Sequence, residues 1–429
     1  MRSPGASCNY AIKMHNCNRG LPIRRRYIPR ALEPVLKRAA GQFPAVVLTG
    51  PRQSGKTTLL RHIFGEASGY VSLEPPDVRA AAASDPRGFL EMHPAPVIFD
   101  EVQYAPDLLP YIKESIDERR DAPGQYFLTG SQNLLLAEHV TESLAGRAAM
   151  LRLLPVSQRE EFGRPLDPLP WEPAKKRPAV ARLAPPDLWK SFLRGGYPEL
   201  VADPDRDISL WHSSYVQTYL ERDVRSLRQV GDLISFQSFL RALAARAGQL
   251  LNLTDVARDL GVAVNTAKAW LSVLEATFQV IVLRPYHANL GKRLVKTPKV
   301  YFTDTGMLCY LAGLRDPDHA AAGPLGGAIF ETAVLLQIVK AFVNRGEEPQ
   351  IHFWRTSAGV EVDLVVETGG KLIPIEVKLS ATPRPAMANG IRTFQEDLGG
   401  KAGQGFVIHP GDVRLPLAPK VVALPFSEL

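Results

Sequence analysis

The stretch "AVVLTGPRQSGKTTLL", residues 45 to 60, constrains this chain more than any other. A short apolar run ends in glycine, and a helix-forming run starts at a lysine followed by two threonines. Gly50, Gly55, Lys56 and Thr57 meet the pattern G-x-x-x-x-G-K-[ST], with Pro51, Arg52, Gln53, Ser54 and Thr58 completing the loop. Glycines let consecutive backbone N–H groups close around phosphates at a helix N-terminus. Lys56 then reaches the outer phosphates and the Thr57 hydroxyl takes Mg²⁺, so the loop predicts ATP and magnesium as ligands. A loop of this kind needs a strand before it and a helix after it, and both signals are present.

Strand and helix signals continue to alternate. An amphipathic helix is expected from Tyr27 to Lys37, then "YVSLE" at 70–74, a helix near 78–92, "PVIFDE" at 96–101 and a helix near 106–119. "QYFLTGS" at 125–131, a helix near 133–146 and "AMLRLLP" at 149–155 follow. Short apolar strands alternating with helices predict an α/β fold, a parallel sheet with helices on both faces. The third strand delivers Asp100 to the magnesium shell, and Glu101 beside it can orient or deprotonate a water. That pair favours hydrolysis over small-molecule phosphoryl transfer, for which no substrate-hydroxyl site is found. Ser131 and Gln132 reach the same rim, to bind the attacking water or γ-phosphate, or with Ser131 as an ordinary helix N-cap. Arg147 stands where an arginine finger would be presented to a neighbouring subunit of a homo-oligomer; a surface salt bridge is the alternative.

A chain of 429 residues exceeds one ordinary core, so several domains are expected. No run approaches the roughly eighteen apolar residues of a membrane span, and none is expected. Cysteine is sparse, and Cys8 and Cys17 lack the partners that would complete a zinc set, which fits a reduced cytoplasm. The net charge of +7 resides in residues 1–37, with eight Lys or Arg and one acid; the remainder holds 43 of each sign. Residues 1–26 are therefore expected to be a basic tail, disordered or a mis-assigned extension, and the folded body is neutral.

After the sheet domain at 27–162, prolines crowd 163–186, which is expected to be a linker. Helices dominate 187–316. Within them Asp255–Leu260, a turn at Gly261 and a helix from Asn265 that buries Ala267, Trp270, Leu271 and Leu274 form a helix-turn-helix pattern, with "QVIVLRPY" as a wing. In a DNA reader Asn265, Thr266, Lys268 and Ala269 would face the groove; packing against the sheet domain or a partner is the alternative. Between Glu275 and Asp304 there is no acid, while Arg284, Lys292, Arg293, Lys296 and Lys299 accumulate near Tyr286 and Tyr301. That is a phosphate-backbone patch or a solvated basic face.

The segment 317–429 contains "GVEVDLVVETGGKLIPIEVKLS" at 359–380. Strand period puts Val360, Val362 and Leu364 on one side and Glu361 and Asp363 on the other; Ile373, Ile375, Val377 and Leu379 pack, leaving Glu376 and Lys378 together. With "ETGG" as the turn, Asp363, Glu376 and Lys378 converge: two carboxylates for a divalent ion and a lysine near an attacking water. Glu331, on a helix, could bring in a fourth group.

Together "VVLTGPRQSGKTTLL", "YVSLEPPDVR", "VIFDEVQYAPDLL", "LTGSQNLLL", "GGYPEL", "YLERDV" and "KTPKVYFTDTGM" resemble the prokaryotic AAA-type ATPases that carry a C-terminal domain of unknown function. The resemblance covers residues 27 to 420. It implies an ATPase domain, a helical and winged-helix middle and a restriction-endonuclease-like end, and supplies no substrate. Three function classes follow: an ATP-driven motor or switch on DNA that cuts or grips it, a nucleotide-dependent regulator of protein partners with a silent nuclease-like domain, and a structural scaffold.

Overall fold

The computed structural model describes residues 27–131, 143–173, 185–220, 233–286 and 296–429. The tail 1–26, "YLERDV" beyond Leu220, Gln132, Lys292 and Arg293 lie outside the described residues.

Strands β1 (Ala45–Thr49), β2 (Gly69–Ser72), β3 (Val97–Asp100), β4 (Tyr126–Gly130) and β5 (Ala148–Arg152) form one parallel sheet in the order β2-β3-β4-β1-β5. Alternation along β1 explains why both faces are covered. Val46 and Leu48 pack with Leu36, Leu59 and Leu60 of the helices Glu33–Ala40 and Lys56–Phe64. Ala45 and Val47 join Phe89, Ile112 and Ile116 of the helices Pro86–Met92 and Leu109–Glu118. A parallel sheet buried on both faces needs such uninterrupted apolar strands. The one helix expected over 78–92 is two, Pro76–Ser84 and Pro86–Met92. Pro86 cannot continue a helix, and the Asp85 carboxylate instead caps the second one by accepting from Gly88 N at 3.0 Å.

The middle contains the helices Pro185–Arg194, Pro198–Ala202, Ile208–Tyr215, Leu233–Ala244, Leu253–Leu260 and Val264–Ala276. Its antiparallel hairpin pairs β6 (Val280–Leu283) with β7 (Lys299–Phe302). The expected helix-turn-helix residues form Leu253–Leu260 and Val264–Ala276, and Ala267, Trp270, Leu271 and Leu274 are buried.

The C-terminal sheet is mixed: β8 (Ile351–Arg355), β9 (Glu361–Thr368), β10 (Lys371–Val377), β11 (Gly405–His409), β12 (Leu415–Ala418) and β13 (Val421–Pro425), in the order β12-β13-β11-β10-β9-β8. Gly369 and Gly370 make the expected turn, and Glu376 lies beside Asp363 because Ile375 pairs with Leu364. Leu379 falls beyond β10 and is 37% exposed, against the expectation that it packs. The helix Gly326–Val343 is long and apolar enough to cross a membrane, with mean hydropathy 1.5, yet 78% of it is buried inside the protein, where it packs on β10. It is a core helix; its burial comes from β10 and the aromatic core.

No gap in packing separates middle from C-terminus. Phe192 meets Phe330 and Phe426 at centroid distances of 6.3 and 5.6 Å. The proline-rich stretch is anchored where it is described: Leu169 is fully buried and the Trp171 ring lies 5.8 Å from that of Phe406.

Two buried polar contacts tie the ATP-loop sheet to its surroundings. Arg30 Nε meets Glu160 Oε1 at 3.0 Å with both side chains out of solvent. The remaining guanidinium nitrogens donate to Ser54 O at 3.0 Å and Leu154 O at 2.7 Å. Burial works against the Glu160 charge, but Arg30 and the backbone N–H groups of Ser157 and Ala31 hold its carboxyl below the usual range. In the second contact, Val156 N donates to Gly196 O at 2.7 Å, and Lys340 Nζ on the core helix donates to Val156 O at 3.1 Å. A Cβ at Gly196 would stand 2.3 Å from Val156 O, which is why "GGYPEL" carries glycine there.

Replacing Glu160 with Leu strands a buried guanidinium and is expected to cost about 3–5 kcal/mol in urea unfolding, partly recovered by adding Arg30→Met. A loss below about 1 kcal/mol would mean that water reaches the pair. For Lys340, burial pushes the ammonium down to about 8 from 10.5, against the pull of Asp304 and Glu160. Between those values the unfolded chain binds a proton that the folded one has released, so stability rises with pH. The stability of wild type relative to Lys340→Met should therefore grow from about pH 8 to 10.5 and stay flat below it. A flat difference throughout would show that the amine reaches water.

Candidate functional site

The phosphate loop leaves β1 at Gly50, whose φ of 147° and a Leu153 carbonyl 2.1 Å from any Cβ admit only glycine. The loop then turns through Pro51, Arg52, Gln53 and Ser54 into the helix that starts at Lys56. Lys56 is 5% exposed, and its Nζ donates to Gly50 O and Pro51 O at 3.0 Å each. Arg52 is held from two sides, donating to Tyr104 OH at 3.2 Å while its carbonyl accepts from Tyr215 OH at 3.3 Å. Among the described residues Ser54 Oγ has no hydrogen-bond partner, and it is buried.

The register between strands supplies the other half. Asp100, at the end of β3, accepts from Thr57 Oγ1 at 2.8 Å, from Tyr70 OH at 2.9 Å and from Thr129 Oγ1. Burial, then proximity to that carboxylate, push the Tyr70 phenol up to about 12. Glu101 has a left-handed backbone (φ 58°), which turns its side chain out of the strand direction. Gln103 Nε2 and Ser131 Oγ both donate to Glu101 Oε2, the latter at 3.2 Å. Ser131 thus reaches the expected rim, and its hydroxyl is engaged with Glu101.

A cavity of about 480 Å³ opens over the loop, floored by Gln53, Lys56, Thr57, Thr58 and Glu101. Tyr27 and Ile28 also line it, with Pro198, Glu199 and Ala202 of the middle. This size suits a nucleotide-sized ligand. The Tyr27 ring stacks on His62 at 3.8 Å and its hydroxyl donates to Glu33 Oε1 at 2.7 Å, so the wall is rigid. Ligand class follows from the donor set: an ammonium, a helix N-terminus, a hydroxyl and a carboxylate suit a phosphate chain with a hard cation.

The second centre lies on β9 and β10. Val377 N donates to Asp363 Oδ2 at 2.8 Å, and Lys378 Nζ lies 2.5 Å from Glu376 Oε1. Glu331, from the core helix, accepts from Tyr301 OH and pairs with Lys299 Nζ at 3.2 Å; Lys299 also meets Glu361 Oε1 at 2.5 Å. Arg355 takes the other Glu361 oxygen, Oε2, at 2.5 Å. Burial, then the neighbouring Asp363, push Glu331 up to about 7 and Glu376 up to about 8. Burial works against the Lys299 ammonium, but Glu331, Asp363 and Glu361 together hold it above the ordinary lysine range. The expected set Glu331, Asp363, Glu376 and Lys378 is thus gathered, joined by Lys299 and Arg355, which the sequence did not place there. Among the described residues, no three carboxylate, histidine or cysteine side chains are placed to share a metal ion.

One expectation changes. Lys299 is no surface cation of a nucleic-acid patch: it is 3% exposed, because its strand is covered on both sides and its charge is spent on carboxylates. Arg284 and Lys296 are exposed as expected. Arg147 precedes β5 at the sheet edge opposite the loop and holds Asp117 in a two-pronged pair, Nε to Oδ1 at 2.7 Å and Nη2 to Oδ2 at 2.9 Å. That pair is the salt bridge the sequence offers as the alternative to an arginine finger for a neighbouring subunit. Sequence reasoning missed Arg30 and Glu160; "SQRE" at 157–160 reads as a capping box, but nothing local names a partner 130 residues away.

Residues 42–162 match the AAA domain model, residues 185–318 match Domain of unknown function (DUF8612), and residues 326–429 match Domain of unknown function (DUF4143). Uncharacterized protein Rv2008c of Mycobacterium tuberculosis and Uncharacterized protein Mb2031c of Mycobacterium bovis are each 33% identical to this chain over 399 residues, covering 92% of it and 82% of their own length. Among solved structures, the Walker-type ATPase PABY2304 of Pyrococcus abyssi aligns at 16% identity and a TM-score of 0.44, over 67% of this chain and 97% of its own. With a sequence relative spanning nearly its whole length and an AAA domain at its loop, the chain belongs to the prokaryotic AAA-type P-loop ATPases that carry a C-terminal domain of unknown function.

Proposed function

We propose that this chain binds ATP with Mg²⁺ over the loop Gly50–Thr58 and hydrolyses it, and that nucleotide state acts on the C-terminal module. The observation that carries this is the Thr57–Asp100 hydrogen bond at 2.8 Å, which joins the loop helix to the end of β3 where a cation would be shared. Bound MgATP would supply the phosphoryl group and neutralise its charge. Lys56 would release the loop carbonyls to take the outer phosphates, and Thr57 and Asp100 would hold the cation. Glu101, steadied by Gln103 and Ser131, would orient a water. Tyr27, Ile28, Pro198 and Ala202 would enclose the base.

A second reading concerns the C-terminal centre, whose strand-borne Asp363, Glu376 and Lys378 follow the restriction-endonuclease-like pattern. Among the described residues Glu376 Oε2 is buried with no hydrogen-bond partner, which suits a cation ligand. On this reading Asp363 and Glu376 hold a divalent ion, Lys378 stands by the attacking water and Glu331 assists. Nucleic acid would approach past Arg284 and Lys296, beyond a winged helix built by Leu253–Leu260, Val264–Ala276 and the β6–β7 hairpin. Cleavage of DNA and RNA with Mg²⁺ or Mn²⁺, lost in Asp363→Ala and in Lys378→Ala, would support it; binding with no cutting would leave a regulatory module acting on a partner.

For the ATPase, Lys56→Ala is expected to weaken MgATP binding about 100-fold by removing charge-assisted contacts of about 3 kcal/mol. Glu101→Gln should bind ATP as the wild type does and lower kcat about 100-fold or more. Calorimetry showing no affinity of the wild type for ATP with Mg²⁺ would sink the assignment.

A further inference from the structure

Lys299 and Tyr301 belong to β7, in the middle of the chain, yet both reach carboxylates of the C-terminal module. They stand on one side of a strand of four residues, two positions apart, so one hairpin edge delivers an ammonium and a phenol together. The Lys299 side chain is 4% exposed, and its Nζ lies 5.5 Å from the centre of the Phe353 ring. It therefore occupies a finished niche with an aromatic floor and two carboxylate walls. On β10, Glu376 Oε2 is buried with no hydrogen-bond partner among the described residues, although its sister oxygen is bonded to Lys378. A buried carboxylate oxygen left without a donor is costly, and it points to a ligand that the centre can take.

We propose that Lys299 is a resident counter-ion that keeps a divalent cation out of a site otherwise built for one by Asp363, Glu376 and Glu331. An ammonium and a divalent ion compete for the same carboxylates and repel each other at this range. While β7 is docked, Glu331 is engaged by Lys299 and Tyr301. The module is a cation site whose lock is Lys299. This extends the second reading of the centre, from which it takes its ligands, and is independent of the ATPase assignment.

The test is Mn²⁺ uptake by nucleotide-free full-length protein, read by calorimetry and by water-proton relaxation. Lys299→Met, which keeps the bulk and packing of the stem, is expected to bind Mn²⁺ at least about tenfold more tightly than wild type, reflecting relief of a charge conflict of more than a kcal/mol. The double variant Lys299→Met/Asp363→Asn should lose that gain, which separates this centre from the phosphate loop. Wild type binding Mn²⁺ as tightly as Lys299→Met, in an Asp363-dependent way, overturns the proposal, as does a Lys299→Met protein that takes up none. Should Lys299→Met fold poorly, its unfolding midpoint with and without millimolar Mn²⁺ carries the test: a rise absent from wild type supports the lock, and no rise overturns it. MgATP affinity of Lys299→Met is expected to equal that of wild type. Failure of metal uptake thus leaves the ATPase assignment standing, and a wild type without ATP affinity leaves the lock standing.

Discussion

The buried pair of Arg30 and Glu160 is the contact on which the ATPase end depends. An ion pair taken wholly out of water is tolerated only when every donor and lone pair finds a partner. Here Arg30 addresses three segments at once: the loop through Ser54 O, the segment after β5 through Leu154 O, and the capping box through Glu160. Glu160 in turn accepts from Ala31 N and Ser157 N. The N-terminal segment that walls the cavity is therefore pinned to the loop it covers. Directional bonds of this kind fix a geometry that apolar packing alone would leave adjustable.

The two charged centres solve the problem of buried carboxylates in opposite ways. Around Asp100 the partners are hydroxyls of Thr57, Tyr70 and Thr129, neutral groups that can rotate aside. A cation arriving there meets an uncompensated charge. At β9 and β10 the partners are Lys299, Lys378 and Arg355, whose charges already answer those of the acids. The first is organised to receive positive charge, whereas the second carries its own.

What the sequence made legible follows range. The loop, the strand ends at Asp100 and Ser131, the turn before β10 and the helix-turn-helix depend on neighbours within a few residues, and periodicity finds them. The gathering of Asp363, Glu376 and Lys378 was legible for the same reason, since pleat and turn decide it. Lys299 was misplaced because a lysine in an acid-free stretch looks solvated until the strand above it, and Glu331 and Glu361, are known. The break at Asp85–Pro86 was readable from proline chemistry but was overridden by a continuous helical pattern. Arg30 and Glu160 could not be paired at all, because neither residue's local pattern refers to the other.

The helix Gly326–Val343 gives these observations a mechanical meaning. Near one end Lys340 grips Val156, which also lines the cavity over the loop; nearer the other end Glu331 meets Lys299. The two residues are nine positions apart, about 13.5 Å of helix rise. A buried helix bends little over two and a half turns, because its own hydrogen bonds and its packing resist it. The cavity lining at Val156 and the charged centre at Glu331 are thus referred to one buried helix, whose rise rather than any loop conformation sets the spacing of the two grips.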